Sequence, residues 1–430
     1  MTRPVVAYAG LTHLGLVYGA SAAEKGFRVV AFDPDAALVD RIARGELPVN
    51  EPGLDDSYRR HRDAFTFSAD AAALAGADIV FISADVATDD RGGSDFTRTM
   101  ALIEAAGRHL HPGALLVILC QVPPGFTRGL PFEKDRLYYQ VETLVFGQAL
   151  VRALEPERII VGSADAVRPL PPAYAEFLGA YGCPVLHMGY ESAELTKIAI
   201  NCCLVASVSV ANTLAELCER IGAAWSEISP ALKLDRRIGQ YSYLSPGLGI
   251  AGGNLERDLA TVIRFAEQHG TDAGVVKAWV ANSRHRKGWA ARTLRDAVLE
   301  SNPGALVAVW GLAYKENTHS VKNSPSLATI AELPDVSLRV HDPVVPATAA
   351  HHARAEGAAD ALAAVRGADA LMILTPWPQY REIAPQEIAR AMRGRTVLDP
   401  YGVLDLARAT QAGLDVHTLG RAPVLAGGPR

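Results

Sequence analysis

The chain has 430 residues, 49% hydrophobic and 21% charged, with 42 Lys+Arg against 47 Asp+Glu and Cys 5. At roughly 100–200 residues per domain this length makes two or three domains, each able to bury a core, and it rules out a small disulfide-stapled module. A net charge of −5 lacks the basic excess behind phosphate-backbone binding, so nucleic acid is not an expected partner.

The first element is a short apolar strand over residues 4–9, PVVAYA. The turn Gly10 to Gly15 follows, and then a helix of small residues through Ala20, Ala22 and Ala23, ended by Gly26. A second strand, Val29 to Phe32, stops at Asp33, which completes a strand-turn-helix-strand-acid unit. Further apolar runs at Ile79–Ile82 and Leu115–Leu119 alternate with helical stretches, as a parallel sheet covered on both faces requires. From Ala193 to about Ile221 the chain has neither Pro nor Gly until Gly222, which predicts a helix long enough to tie two domains together or to pack against a partner chain.

A Gly-rich loop, Ser245 to Asn254, comes next. After Pro303-Gly304 the strand-turn-helix pattern recurs, with strands at Ala305–Trp310, Leu338–His341 and Ala370–Leu374, a turn at Gly311, and Asp342-Pro343 closing the second strand. The expected fold class is α/β: two Rossmann-like doubly wound domains, 1–192 and 303–430, joined by a long central helix and a helical middle domain, 193–302. No apolar run is expected to reach the roughly 18–20 residues that span a bilayer, and a strand begins within a few residues of the N-terminus. The expectation is therefore a cytoplasmic chain with neither membrane span nor signal peptide. Cysteines at irregular spacing, Cys202 and Cys203 adjacent, fit reduced thiols, and no metal-ligand spacing appears.

The chemistry starts at the first turn. Backbone N–H groups at a helix N-terminus attract phosphate, and side chains there would block its approach. The sequence Gly10-Leu11-Thr12-His13-Leu14-Gly15 keeps the first and third glycines of a dinucleotide turn and puts Thr12 at the second. Asp33 stands where the ribose hydroxyls of a dinucleotide are bound, and an acid there favours NAD over NADP because a carboxylate repels the 2′-phosphate. His13 fits a turn or packing residue better than an acid/base group.

The sequence resembles the UDP-glucose/GDP-mannose dehydrogenase family over nearly its whole length. Asn50-Glu51-Pro52-Gly53-Leu54 is similar to the family's EPGL signature, Val122-Pro123-Pro124-Gly125 to its VPPG turn and Pro156-Glu157-Arg158-Ile159 to its NPxRI stretch. Ala193-Glu194-Leu195-Thr196-Lys197 with Asn201 resembles the start of its central helix. Asp235-Arg236-Arg237-Ile238-Gly239 and Pro246-Gly247-Leu248-Gly249 resemble the lead into its catalytic loop, and Gly311-Leu312-Ala313-Tyr314-Lys315 with Ser324-Pro325 the opening of its C-terminal domain.

The resemblance implies oxidation of the C6 alcohol of a nucleotide-diphosphate hexose with NAD, in two steps, through an aldehyde captured by a cysteine in a GFGGxCxxKD loop. Here that loop is Gly249-Ile250-Ala251-Gly252-Gly253-Asn254-Leu255-Glu256-Arg257-Asp258, with Asn254 at the cysteine position. An amide is not a nucleophile, so the covalent route to a uronate should fail while hydrogen bonding to an alcohol or carbonyl remains open. By resemblance the catalytic candidates are Lys197 and Asn201 as oxyanion or water holders, Glu142 as general base, and Asp258 and Asn254 in the loop. Cofactor candidates are Gly10, Thr12, His13, Leu14, Gly15, Asp33, Val86 and Gln121; substrate candidates are Arg237, Gly249, Gly252, Gly253 and Lys315.

Several positions depart from the family pattern. Val86-Ala87 replaces a Thr-Pro pair, Gln121 a threonine, Phe146 the second glutamate of an EFLxEG segment, and Tyr401 the arginine of a DxR motif at Asp399-Pro400-Tyr401. The run Thr318 to Pro325 stands for TDDxRxSP. Cys120 is expected to be a buried structural thiol rather than a substitute nucleophile, and Cys183, Cys202, Cys203 and Cys218 to be core residues. The expected function is NAD-dependent conversion of a nucleotide-activated sugar, either alcohol to aldehyde or ketone or a redox-neutral epimerisation, by a homodimer in which Arg237 reaches the neighbouring site. The alternative is a non-catalytic nucleotide-sugar-binding scaffold.

Overall fold

The computed structural model describes residues 3–89 and 93–427. They pack as two units, Met1–Ile200 and Asn201–Arg430, so the division falls inside the long helix. The helical middle and the C-terminal sheet share the second unit, which differs from the three-part division suggested by sequence.

The first unit contains strands β1 (Val6–Ala9), β2 (Val29–Phe32), β3 (Phe65–Ser68), β4 (Ile79–Ile82), β5 (Leu115–Ile118), β6 (Leu137–Gln140), β7 (Ile159–Ser163) and β8 (Val185–Gly189). Their order in one sheet is β8-β7-β6-β5-β4-β1-β2-β3. All neighbours are parallel except β6 and β7. The register sets Val6 beside both Val29 and Ile79. Strands β1, β2, β4 and β5 are buried along their whole length, which is why they are continuous apolar runs without alternation. Strand order reverses between β1 and β4, and in open α/β sheets that reversal leaves a crevice at the strand C-termini. Helix α1 (His13–Glu24) starts there.

The second unit repeats the scheme with β9 (Leu306–Trp310), β10 (Ser337–His341), β11 (Ala355–Gly357), β12 (Ala370–Ile373), β13 (Thr396–Leu398) and β14 (Asp415–His417). Their order is β11-β10-β9-β12-β13-β14, all parallel. Gly311 follows β9 at φ +95°, and a Cβ on it would come within 2.4 Å of Thr375 Cβ, so only glycine fits this turn.

Helix α2 (Tyr190–Ile221) begins earlier than the sequence suggests. Two expectations about it are corrected. By length and composition it is apolar enough to cross a membrane, contrary to the expectation that no run would be. It also carries the buried polar residues Glu194, Lys197, Asn201, Ser209 and Asn212, which a membrane-spanning surface would leave in hydrocarbon at a cost. Cys203 lies exposed on it rather than in the core. The physical reason is that small and apolar residues occupy more than one face of this helix, so hydrophobicity alone does not say which side is covered.

Asp342, after β10, accepts backbone N–H groups from Leu312 at 2.7 Å, Ala313 at 3.1 Å, Val344 at 2.9 Å and Val345 at 2.8 Å. Burial alone would raise its carboxyl, but these bonds outweigh it and hold the group below the usual aspartate range. Its contribution to stability is therefore fully present above the ordinary aspartate pKa and disappears as pH falls through the depressed value. Asp342→Asn should cost about 1–3 kcal/mol at neutral pH, and the gap to the parent should close on acidification. Thermal unfolding at pH 7 and pH 3 checks this; a gap that persists at pH 3 contradicts it.

Candidate active site

In the first unit, Gly10 takes φ +103°, and a Cβ there would meet Ala84 N at 2.8 Å; one on Gly15 would meet Gly10 O at 2.1 Å. The turn is thus held as close to the sheet as a dinucleotide turn must be. The Asp33 carboxylate accepts the Leu11 N–H at 2.8 Å, the Asp35 N–H at 3.1 Å and Arg98 Nη2 at 2.6 Å. Leu14 is buried in the core, so only its backbone can face a ligand. Thr12 is extended at the N-cap of α1 without capping it by side chain; its hydroxyl donates to Ser83 O at 3.2 Å and accepts the Asp85 N–H at 2.9 Å. These residues fit NAD, whose phosphates would be received at the start of α1 and whose adenosine ribose would lie toward Asp33. Val86 is half-buried against the core, and Gln121 is half-buried just after the fully buried Cys120.

His13 is a packing residue: its Nε2 lies 3.1 Å from Glu51 Oε2, and its ring stacks on Phe146 with centroids 4.2 Å apart. Glu51, 3% exposed, also accepts the N–H groups of Gly147 at 3.0 Å and Ala149 at 2.7 Å. One carboxylate therefore ties the Gly-rich turn to the segment after β6. That segment presents Glu142, whose Oε1 lies 2.6 Å from Lys197 Nζ, both side chains being largely buried. Glu194, one turn earlier on α2, accepts the N–H groups of Gly125 at 2.6 Å and Thr127 at 2.8 Å, fixing the Val122–Gly125 turn.

In the second unit, Asn201 Nδ2 donates to Asp258 Oδ2 at 2.5 Å, with both residues buried. Asp258 lies one turn into helix α3 (Asn254–His269), on the same face as Asn254, which opens the helix and is exposed. The loop before it is shaped by Gly249 at φ +80°, where a Cβ would meet Ser283 O at 2.5 Å, and by Gly252 at φ +76°. Gly253 keeps an ordinary right-handed conformation as the N-cap. Ser283 Oγ accepts the Ile250 N–H at 2.8 Å, and Asn323 Nδ2 donates to Gly252 O at 2.7 Å and Glu256 Oε2 at 2.5 Å. Lys315 is half-buried and lies over the Tyr314 ring at 5.8 Å.

Arg237 is strongly exposed and forks onto its own Asp235, at 3.0 and 2.6 Å. Tyr401, at the expected arginine position, is pushed above the usual phenol range by burial. Asp399 is a turn residue accepting Val403 N–H at 2.9 Å and Leu404 N–H at 2.8 Å. Among the described residues no group of three or more His, Cys, Asp or Glu is placed to hold a metal ion.

Family models cover the chain in the same order as these parts. They match residues 5–170 as the NAD binding domain, 191–284 as the central domain and 308–406 as the UDP binding domain of the UDP-glucose/GDP-mannose dehydrogenase family. The chain belongs to that family. It is 33% identical to a UDP-glucose 6-dehydrogenase of Pseudomonas aeruginosa over 96% of both chains, and 29% identical to one of Bacillus subtilis over 97% of this chain and 94% of that one. A solved UDP-glucose dehydrogenase from Pyrobaculum islandicum superposes with a TM-score of 0.84 at 27% identity, covering 98% of each chain. As a family member the chain is an NAD-dependent nucleotide-sugar dehydrogenase by descent, with NAD as cofactor and a nucleotide-sugar site.

Sequence reasoning passed over Asp85 and Arg98 and took Glu51 only as part of a signature. The residue just before Val86-Ala87 was available as a signal, since an ionisable group directly after a buried strand at a crevice is uncommon. Glu51→Ala would remove the acceptor for Gly147, Ala149 and His13. Amide exchange at Gly147 and Ala149 should then accelerate by about tenfold or more; unchanged exchange, followed by mass spectrometry, contradicts the hub role.

Proposed function

We propose that this enzyme removes hydride from an alcohol carbon of a nucleotide-activated sugar and stops short of a uronate, releasing an aldehyde or ketone or returning the hydride in an epimerisation. Asn254 carries this reading: the residue opening α3 has no thiol to capture an aldehyde. Neither Cys120 nor Cys202 supplies a thiolate in its place. Burial pushes the Cys120 thiol up to about 12 and the Cys202 thiol up to about 11, so both stay protonated at neutral pH.

NAD, when bound, supplies the hydride acceptor. In the proposed assignment Lys197 holds the alcohol oxygen and stabilises the charge that develops on it, while Glu142, its partner at 2.6 Å, takes the hydroxyl proton. Asn201 and Asp258 form the second polar pair, the amide donating and the carboxylate held by it. Arg237 and Lys315 are assigned to the diphosphate of the substrate. The exposed Leu195, Val210, Leu214, Leu217 and Ile221 along α2 support a homodimer packed through this helix. A non-catalytic sugar-nucleotide scaffold is the second reading, favoured by the saturation of Asp33 with Arg98 and backbone donors.

Incubation of purified enzyme with NAD and C6-deuterated UDP-glucose tests the first reading. Deuterium on NADH supports net oxidation at C6, an isomerised sugar formed without net NADH supports epimerisation at a ring carbon, and UDP-glucuronate as product overturns the proposal. Lys197→Ala should lower turnover by at least about 10²-fold. Full activity in that variant contradicts the assigned role, and absence of NAD binding by the parent would favour the scaffold.

A further inference from the structure

We propose that Arg98 opens the adenosine end of the cofactor site to NADP as well as NAD, its guanidinium meeting the 2′-phosphate that Asp33 would otherwise repel. The proposal rests on the NAD-binding assignment of the first unit and goes beyond it by naming the residue that sets selectivity between the two dinucleotides. Arg98 is the second residue of the helix Thr97–His109, which follows β4 in the chain. Its Nη2 lies 2.6 Å from Oδ2 of Asp33, just after β2. The order β4-β1-β2 puts one strand between these two places, so the ion pair bridges the strand ends beside the reversal where a dinucleotide crevice opens.

An acid after the second strand selects NAD in two ways: its oxygens accept ribose hydroxyls, and its charge repels a 2′-phosphate. Both are blunted here. A carboxylate offers about four lone-pair sites, and Asp33 already receives the Asp35 N–H at 3.1 Å on Oδ1 and the Leu11 N–H at 2.8 Å beside Arg98 on Oδ2. Its side chain is 1% exposed, so little of it is open to a ribose. Its charge is paired with a guanidinium, a group that does not lose its proton in proteins. The Arg98 side chain, by contrast, is 48% exposed and uses Nη2 alone on Asp33. A guanidinium is a planar fork of N–H donors, which leaves the rest of it free to pair with phosphate oxygens and its face free to stack on an aromatic ring. Asp35, the other acid at this corner, is turned to its own helix, where its Oδ1 accepts the Leu38 N–H at 3.1 Å. An arriving dinucleotide therefore meets the base of the pair and not the acid.

Calorimetric titration of the full chain with NADH and with NADPH, without sugar substrate, tests this in the parent, Arg98→Ala and Arg98→Lys. The parent should bind NADPH within about tenfold of NADH. Arg98→Ala should weaken NADPH by about tenfold or more, as loss of a charge-assisted bond to phosphate does, and should leave NADH within about threefold or tighten it, because Asp33 is released to the ribose. Arg98→Lys, which keeps the charge without the fork, should restore part of the NADPH affinity. Adenosine 2′,5′-bisphosphate, which carries the 2′-phosphate without the nicotinamide half, should show the same loss in Arg98→Ala. If Arg98 only braces the turn through Asp33, Arg98→Ala melts earlier and loses NADH and NADPH in parallel, and that result overturns the proposal. A parent that binds NADPH more than about tenfold more weakly than NADH overturns it as well. If the parent binds neither dinucleotide at millimolar concentration, the NAD assignment falls too, an outcome distinct from firm NADH binding with NADPH refused.

Discussion

In both units a carboxylate at the end of the second strand is bonded to the backbone N–H that follows a glycine of positive φ. Asp33 takes Leu11 N–H at 2.8 Å after Gly10, and Asp342 takes Leu312 N–H at 2.7 Å after Gly311. This bond closes the turn that follows the first strand against its neighbour, at the mouth of each crevice. It also explains the tolerance of change around it. Once the corner is fixed by backbone geometry, Thr12, Asp85, Val86 and Gln121 can vary in character without loss of the fold, and variation there acts on what the crevice binds.

The polar pairs assigned to catalysis have a different logic. Lys197 with Glu142 and Asn201 with Asp258 are largely buried, and each partner satisfies the other's charge or donor. A buried charge left alone would be strongly destabilising, so such pairs persist only when the whole arrangement persists. Position 254 has no comparable constraint. It is the exposed first residue of α3, and exchanging a thiol for an amide there disturbs no packing. On the proposed reading, the chain loses the nucleophile of the second oxidation here while keeping the groups assigned to the first.

The doubly wound architecture was legible because buried parallel strands leave continuous apolar runs and because Gly10, Asp33, Gly311 and Asp342 stand at fixed offsets. Helix α2 was legible from the absence of Pro and Gly, but its covered faces were not, and Cys203 was misplaced as a result. Glu51, Arg98 and Asp85 escaped for a shared reason. Their partners lie far along the chain, Glu51 with Ala149, Arg98 with Asp33 and Asp85 with Thr12, and only strand order brings them together. No periodicity in sequence records such meetings. Asn254, by contrast, needed no structure, since its meaning lies in the chemistry an amide lacks.

The central claim is that oxidation ends before a covalent intermediate is needed. The most direct measurement is the number of NADH molecules formed per nucleotide sugar consumed, followed to completion by absorbance and by quantifying residual sugar. The account predicts no more than one NADH per sugar, and none net if the hydride is returned. Two NADH per sugar would show the second oxidation to be intact and would contradict it.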